Sequence, residues 1–329
     1  MRILNRSEND YVELLRDFER NHKSITPLQL FEHRNYLSCY FELGRFVDYS
    51  FLVISQGHIV ASVLLTFDRK EDFGFSYFNS GFNIILENKE GIEEQRIYDV
   101  IFKRIFKLAV DKKSVLVYHQ NTGQGIDLFA DKLIRKGGEL KFKIVQKIDI
   151  TLPVAALRRA LRKSYKSLIN RENDSVTYEI IDLENYSSSV FEDFMELHRI
   201  AAGSVTRSLE TWNIQANMIR RGEAFMVCGF MDGVMVTGGI FPFTRSECYY
   251  GVSASNRELF HLPLSHNVLW NAIDFAKSMN IQELSLGEVT EAIINKDIID
   301  SKLRDIIFFK RGFGGKLSVE KTVALSCNV

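Results

Sequence analysis

Lys310 has the most specific chemical surroundings in the chain. It stands in the run Phe309-Lys310-Arg311-Gly312-Phe313-Gly314-Gly315. Glycine has no Cβ, so backbone of this composition approaches a bound molecule closely while the lysine supplies positive charge. The plainer reading is a surface lysine. Two other side chains are of types that accept protons. Glu288 follows Leu284-Ser285-Leu286-Gly287 at the end of an expected strand, where functional groups gather in open α/β sheets. It reads as a base or as a solvated, capping carboxylate. His198 lies beside the apolar stripe of a helix and reads as a base or as a half-buried structural histidine.

Anion binding has two candidate locations. Leu262-Pro263-Leu264-Ser265-His266 opens an apolar helix whose first N–H groups are free to face an anion. His266 there either neutralises a phosphate or caps the first turn. The second location is an expected helix over residues 154–170. Arg159, Arg162, Lys163 and Lys166 recur on one face at i, i+3, i+4 and i+7. Six basic residues and no acidic one fall between Arg158 and Arg171. A phosphate-binding rim and a solvated face both fit this pattern. There is no GxSxG elbow and no Ser–His–Asp order. Cys39, Cys228, Cys248 and Cys327 are too far apart for a CxxC metal or redox motif, so no metal is expected.

The elements that must position these residues are legible by periodicity. The chain has 329 residues, 46% of them apolar, and equal numbers of acidic and basic side chains. This excludes disordered and disulfide-scaffold classes, and argues against a surface devoted to DNA. Strand–turn–strand patterns appear at Gln56-Gly57 and at Asp232-Gly233. Gly57, Val60 and Phe67 recur as Gly233, Val236 and Phe243, each 176 residues later, which reads as a domain-scale duplication. Helices are expected at 97–108, 188–201, 208–221 and 263–279, and strands at 281–286 and 317–325. The second half reads β–α–α–β–β–β–α–β, then a helical segment and a last strand, a mixed α/β layer structure. The first ten residues hold no apolar run, and residues 51–67 are too short and too polar to span a bilayer, so a soluble, cytoplasmic protein with reduced thiols is expected.

Three stretches together carry a resemblance. The run LRKSYKSLINR at 161–171, the pair Tyr249-Tyr250-Gly251-Val252-Ser253 and Leu262-Pro263-Leu264-Ser265-His266 with its Trp-containing helix, and the closing FKRGFGG at 309–315 resemble, in order and spacing, the second domain of FemAB-like proteins. The resemblance implies two tandem GNAT-like domains joined by a basic helix. The first, 1–150, would be degenerate, structural or acceptor-binding, and the second, 151–329, catalytic. Members move an acyl or aminoacyl group onto an amine. Some use aminoacyl-tRNA to extend peptidoglycan side chains; others use acyl-CoA on sugars or envelope precursors. The chain lacks the long helical hairpin insertion of some peptidoglycan enzymes. The leading expectation is therefore an N-acyltransferase moving an acyl group from acyl-CoA to an amino sugar of a cell-envelope or surface-glycan precursor. The alternatives are an aminoacyl-tRNA-dependent transferase on a peptidoglycan precursor and a non-catalytic ligand-binding module. The expected partner is a small or lipid-linked glycan precursor, with tRNA in the first alternative, and no cofactor is permanently bound.

The resemblance also suggests roles. Lys310 would lie by the acceptor or the transferred carbonyl, with Phe313 packed beneath. Tyr250 and the backbone to Ser253 would border the acyl channel. Leu264, Ser265 and His266 would receive the donor phosphates. Arg162, Lys163 and Tyr165 would meet the acceptor, and Glu288 or His198 would take the amine proton.

Overall fold

The computed structural model describes residues 1–41, 44–70, 74–78, 80–87, 91–120, 125–170, 175–290 and 301–327. Arg171 and part of the helical segment expected after residue 286 lie outside these. The chain forms two compact units. One comprises residues 1–22, 41–143 and 319–329; the other comprises 23–40 and 144–318. Against the expected division at residue 150, each unit thus takes a short piece from the far half of the sequence.

Both units are built on the same hairpin. In the first, Phe51–Ser55 pairs with His58–Leu64 across Gln56 and Gly57, at φ 51° and 82°. In the second, Ala224–Met231 pairs with Val234–Pro242 across Asp232 and Gly233, at φ 51° and 78°. Two consecutive positive-φ residues make the tight turn whose twist suits antiparallel strands. The ladders even slip at equivalent places, between Val53 and Ile54 and between Gly229 and Phe230. Those positions are again 176 residues apart, so the duplication reaches the level of a bulge.

In the second unit one sheet has the order Thr177–Ile181, Ala224–Met231, Val234–Pro242, Val252–Ser255, all antiparallel. Helices Ser188–Ala202 and Leu209–Arg220 cover one face through Phe191, Phe194, Trp212 and Ile219. Gly203, at φ 74°, stops the first of them, and Ser208 caps the second by accepting from the Thr211 N–H. Helix Leu264–Ser278 covers the other face through Val268, Leu269, Ala272 and Ile273. It is buried nearly all round, as its composition requires.

Two short strands follow one another at 247–249 and 252–255. Glu247–Tyr249 pairs in parallel with Glu283–Glu288, whereas Val252–Ser255 pairs with Val234–Pro242. The change of partner falls between two adjacent amides: Tyr250 N donates to Ser285 O (3.0 Å), and Gly251 N donates to Ile240 O (3.3 Å). The strands therefore splay at this point. The first unit repeats the device. Phe75 pairs with Leu116, and Asn83–Leu86 then pairs with His58–Leu64.

The basic segment is helical but not continuous. Val154–Ala160 and Lys163–Asn170 are separate helices, and Leu161 between them is extended (φ −60°, ψ 145°). Every residue here tolerates helix, so the break is tertiary. Arg162 N donates to Gly312 O (2.8 Å) rather than to the preceding turn. The single cationic face expected over residues 159–166 is consequently lost.

Candidate active site

Lys310 closes helix Ser301–Arg311 and is half-buried. A Cβ built on Gly287 would stand 3.6 Å from Lys310 Nζ and 3.8 Å from the Tyr249 hydroxyl. Gly287 has φ +81°, in a region that suits glycine, at a slip in the pairing of Glu283–Glu288 with Glu139–Asp149. An ammonium and a phenol thus converge on a small patch of bare backbone beside the splay. Burial lowers the pKa of Lys310 below the ordinary lysine value, and burial raises that of Tyr249. Tyr249 therefore remains a hydroxyl donor at neutral pH.

Gln146 holds the end of the Lys310 helix in place. It is buried, and its Nε2 donates to the carbonyls of both Lys310 and Gly314. The glycines of the FKRGFGG run serve the same packing. A Cβ on Gly312 would overlap the Tyr165 ring, one on Gly314 would meet Ala160 O, and one on Gly315 would meet Lys147 O. Their close approach is to the chain itself, where the sequence reading placed a ligand.

Tyr165, Phe309 and Phe313 box in His266. The ring centroids lie 4.4, 5.1 and 6.2 Å from the imidazole. Burial, with the Arg162 guanidinium nearby, pushes the His266 pKa down to about 4. The ring is neutral at pH 7 in the ligand-free chain. Arg162 is also committed: Nη2 donates to Phe308 O (3.1 Å), and the guanidinium lies 3.7 Å from the Phe308 ring centroid and 5.1 Å from that of Tyr165. Lys163 is exposed at the start of its helix.

Tyr250 and Ser253 meet each other, Oη to Oγ, at 2.9 Å, and the Tyr250 ring stacks on Phe241. Ser265 Oγ meets Ser255 Oγ at 3.0 Å, which in turn meets Thr237 Oγ1 at 2.7 Å. Leu264 is buried beside Val176 and Val236, so only its backbone can serve a ligand. No side chain caps helix Leu264–Ser278. The loop before it uses its amides internally. Glu258 N bonds the Asn256 side chain, Leu259 N bonds Asn256 O, Phe260 N bonds Arg257 O, and Leu262 N bonds Leu259 O. Glu288 is exposed, next to Gly287.

His198 and Lys310 are not joined by any hydrogen bond between described residues. Instead His198 Nε2 meets Arg207 Nη1 at 2.8 Å, and burial, with a smaller contribution from Arg207, lowers the pKa of the imidazole. The nitrogen that would act as base is thereby occupied by a cation. Arg207 Nε donates to Tyr36 Oη (3.3 Å), and its guanidinium lies 5.5 Å from the Tyr40 and Trp212 ring centroids. Its neighbours here are neutral, which leaves its charge available to an anion. Tyr36 adds a small electrostatic contribution to the raised pKa of Tyr249, after burial. The sequence does not mark Gly287, Arg207, Tyr36 or Gln146. Strand alternation does place Tyr249 opposite Tyr250; the others carry no local signal.

Among the described residues no group of His, Cys, Asp or Glu could hold a metal ion, and no helix is long and apolar enough to cross a membrane. No protein-family profile matches the chain, and no curated protein is significantly similar in sequence. Solved structures are informative. The chain is similar to FemX at 14% identity and TM-score 0.70, covering 100% of this chain and 98% of that one. It is similar to the C-terminal domain of a putative lysylphosphatidylglycerol synthetase from Agrobacterium fabrum (10%, TM-score 0.61, 95% and 91% covered). It is also similar to a tandem GNAT protein of the clavulanic acid biosynthesis pathway (11%, TM-score 0.52, 99% and 98% covered). The fold is thus FemAB-like: tandem GNAT-like domains with mixed α/β sheets.

Proposed function

We propose that the chain is an aminoacyltransferase, moving an aminoacyl group from the ester of an aminoacyl-tRNA to an amine of a peptidoglycan precursor. The observation that carries this reading is the convergence of Lys310 Nζ and Tyr249 Oη on Gly287 in a chain of FemX-like fold. The donor assignment rests on the loop at 256–263. A CoA pyrophosphate needs free amides or cations, and this loop spends the amides of Glu258, Leu259, Phe260 and Leu262 on its own turns while burial holds the His266 pKa low, which leaves fewer donors for it. The likeness to a synthetase named for lysylphosphatidylglycerol supports an aminoacyl cargo as well.

In this reading the amine attacks the ester carbonyl. The new C–N bond pushes negative charge onto the carbonyl oxygen, the ester C–O bond breaks, and the amine's proton ends on the departing ribose oxygen. The Lys310 ammonium and the Tyr249 hydroxyl steady the oxyanion from a partly desolvated position, where charge acts most strongly. Arg207 holds an anionic group of the acceptor. Glu288, exposed beside the site, is the remaining proton acceptor.

The second reading is acyl-CoA transfer to an amino sugar. It is favoured by the uncapped start of helix Leu264–Ser278, whose first N–H groups remain available near Ser265. Incubation with tRNA charged with labelled amino acids and a lysine-containing muropeptide nucleotide tests the proposal against labelled acetyl-CoA with an amino-sugar nucleotide. Label transferred from tRNA supports the proposal. Transfer from acetyl-CoA alone replaces it with the second reading, and transfer from neither assigns a non-catalytic module.

A further inference from the structure

The first unit carries a cavity of about 700 Å³ whose lining includes Asn5, Arg6, Asp48, Tyr49, Arg69 and Arg104. Three arginines face one carboxylate, so positive charge exceeds negative by two. Arg6 pairs with Asp48. Arg69 is exposed at the rim. Arg104, from helix Ile92–Asp111, makes no ion pair among the described residues. Its Nη2 donates to the Asn5 side chain, and its guanidinium lies 4.7 Å from the buried Phe51 ring centroid. Its Nε is buried without a hydrogen-bond partner.

A guanidinium held against a phenyl ring, partly out of water and without a carboxylate, is costly. An anion that takes up its unused N–H groups recovers that cost, and the planar fork suits phosphate oxygens. Burial already lowers the Arg104 pKa, though an arginine remains charged at neutral pH. The site is an open groove whose volume admits a whole small molecule and is far larger than a bare ion needs. Tyr49 adds a ring to the wall.

We propose that this cavity binds a phosphorylated small molecule, with Arg104 and Arg69 gripping its phosphate oxygens. The site lies wholly in the first unit and does not depend on the transfer reaction assigned to the second.

Calorimetry on the full chain tests it with three probes: inorganic phosphate, pyrophosphate and UDP. Wild type is expected to bind pyrophosphate and UDP, and Arg104→Met to weaken both by about tenfold or more, the loss of a charged hydrogen-bonding partner. Arg104→Met removes a partly desolvated charge together with its bond to Asn5 and its contact with Phe51, so the melting temperature without ligand is measured beside the affinities to confirm the fold. Arg69→Gln, at an exposed position that leaves the fold intact, should weaken binding as well. Tighter UDP than pyrophosphate binding identifies a nucleotide as the source of the phosphate; tight binding of inorganic phosphate alone identifies the free ion and overturns the small-molecule assignment. Heat with none of the probes, or unchanged affinity in both variants, overturns the site. Loss of binding in Arg207→Gln but not in Arg104→Met moves it to the second unit and also overturns it.

Discussion

Lys310 Nζ lies 3.6 Å from the point where a Cβ on Gly287 would stand. The bare backbone there is the floor of the space that the ammonium and the Tyr249 hydroxyl share. Gly287→Ala would place a methyl in that space and force alanine into φ +81°. The strain should cost about 1 kcal/mol, read by urea denaturation. Transfer should fall by about tenfold or more, because the reacting carbonyl loses its place. A normal rate in the destabilised variant would put the chemistry elsewhere.

The pH profile follows from Lys310. Its folded-state pKa is lowered by burial. The ammonium therefore costs stability while charged, and stability recovers as pH rises through the folded pKa toward the unfolded one. Activity should do the opposite, falling on the alkaline side as the oxyanion loses its cation, at a pH below the ordinary lysine value. Lys310→Arg, which does not titrate there, should lose that alkaline limb even if its maximal rate is lower. An identical alkaline limb in the arginine variant would assign it to another group.

Arg162 and Lys163 should separate cleanly, although they are neighbours in sequence. Arg162→Glu removes the bond to Phe308 O and the stacking on the Phe308 ring, and places a carboxylate against two carbonyl-bearing turns. It should lower stability by about 1–3 kcal/mol. Lys163→Glu, on an exposed side chain, should change stability by less than about 0.5 kcal/mol. Thermal melts of both variants decide this, and equal losses would contradict it.

Acid stability carries a further signature. His33 and His266 are both pushed from 6.5 to about 4 by burial. Below pH 6.5 the unfolded chain takes up protons that the folded chain refuses until about pH 4. Stability is thus full above 6.5 and declines as pH falls across that window. Each histidine contributes at most about 1.4 kcal/mol per pH unit, and the half-exposed His266 less because solvent screens it. His266→Phe, which keeps the aromatic box filled, should flatten the decline measured by denaturation at pH 7, 6 and 5. An unchanged slope would mean that His266 already carries its proton.

Much of the architecture is written in local chemistry. Gln56-Gly57 and Asp232-Gly233 announce the two hairpins, and the 176-residue spacing the duplication. Three things are not local. Helix 154–170 breaks at Leu161 because Arg162 N finds Gly312 O, a partner 150 residues away. Tyr249, not Tyr250, faces Lys310 because the strand changes partners at Gly251, which alternation alone cannot locate. Arg207 and Tyr36 meet only because residues 23–40 fold with the second unit. The glycines after Lys310 mark a close approach in the sequence, but only the fold shows that the approaching partner is the protein's own Tyr165, Ala160 and Lys147.

The central claim is that Lys310 stabilises charge in an acyl-transfer step. It is tested most directly by the single-turnover rate of labelled aminoacyl transfer from charged tRNA, in wild type and in Lys310→Met. The methionine keeps the apolar stem and removes the charge. The account predicts a rate lower by about a hundredfold or more, with a melting temperature equal to or above wild type because a desolvated charge is gone. A folded Lys310→Met protein that turns over near the wild-type rate would contradict it.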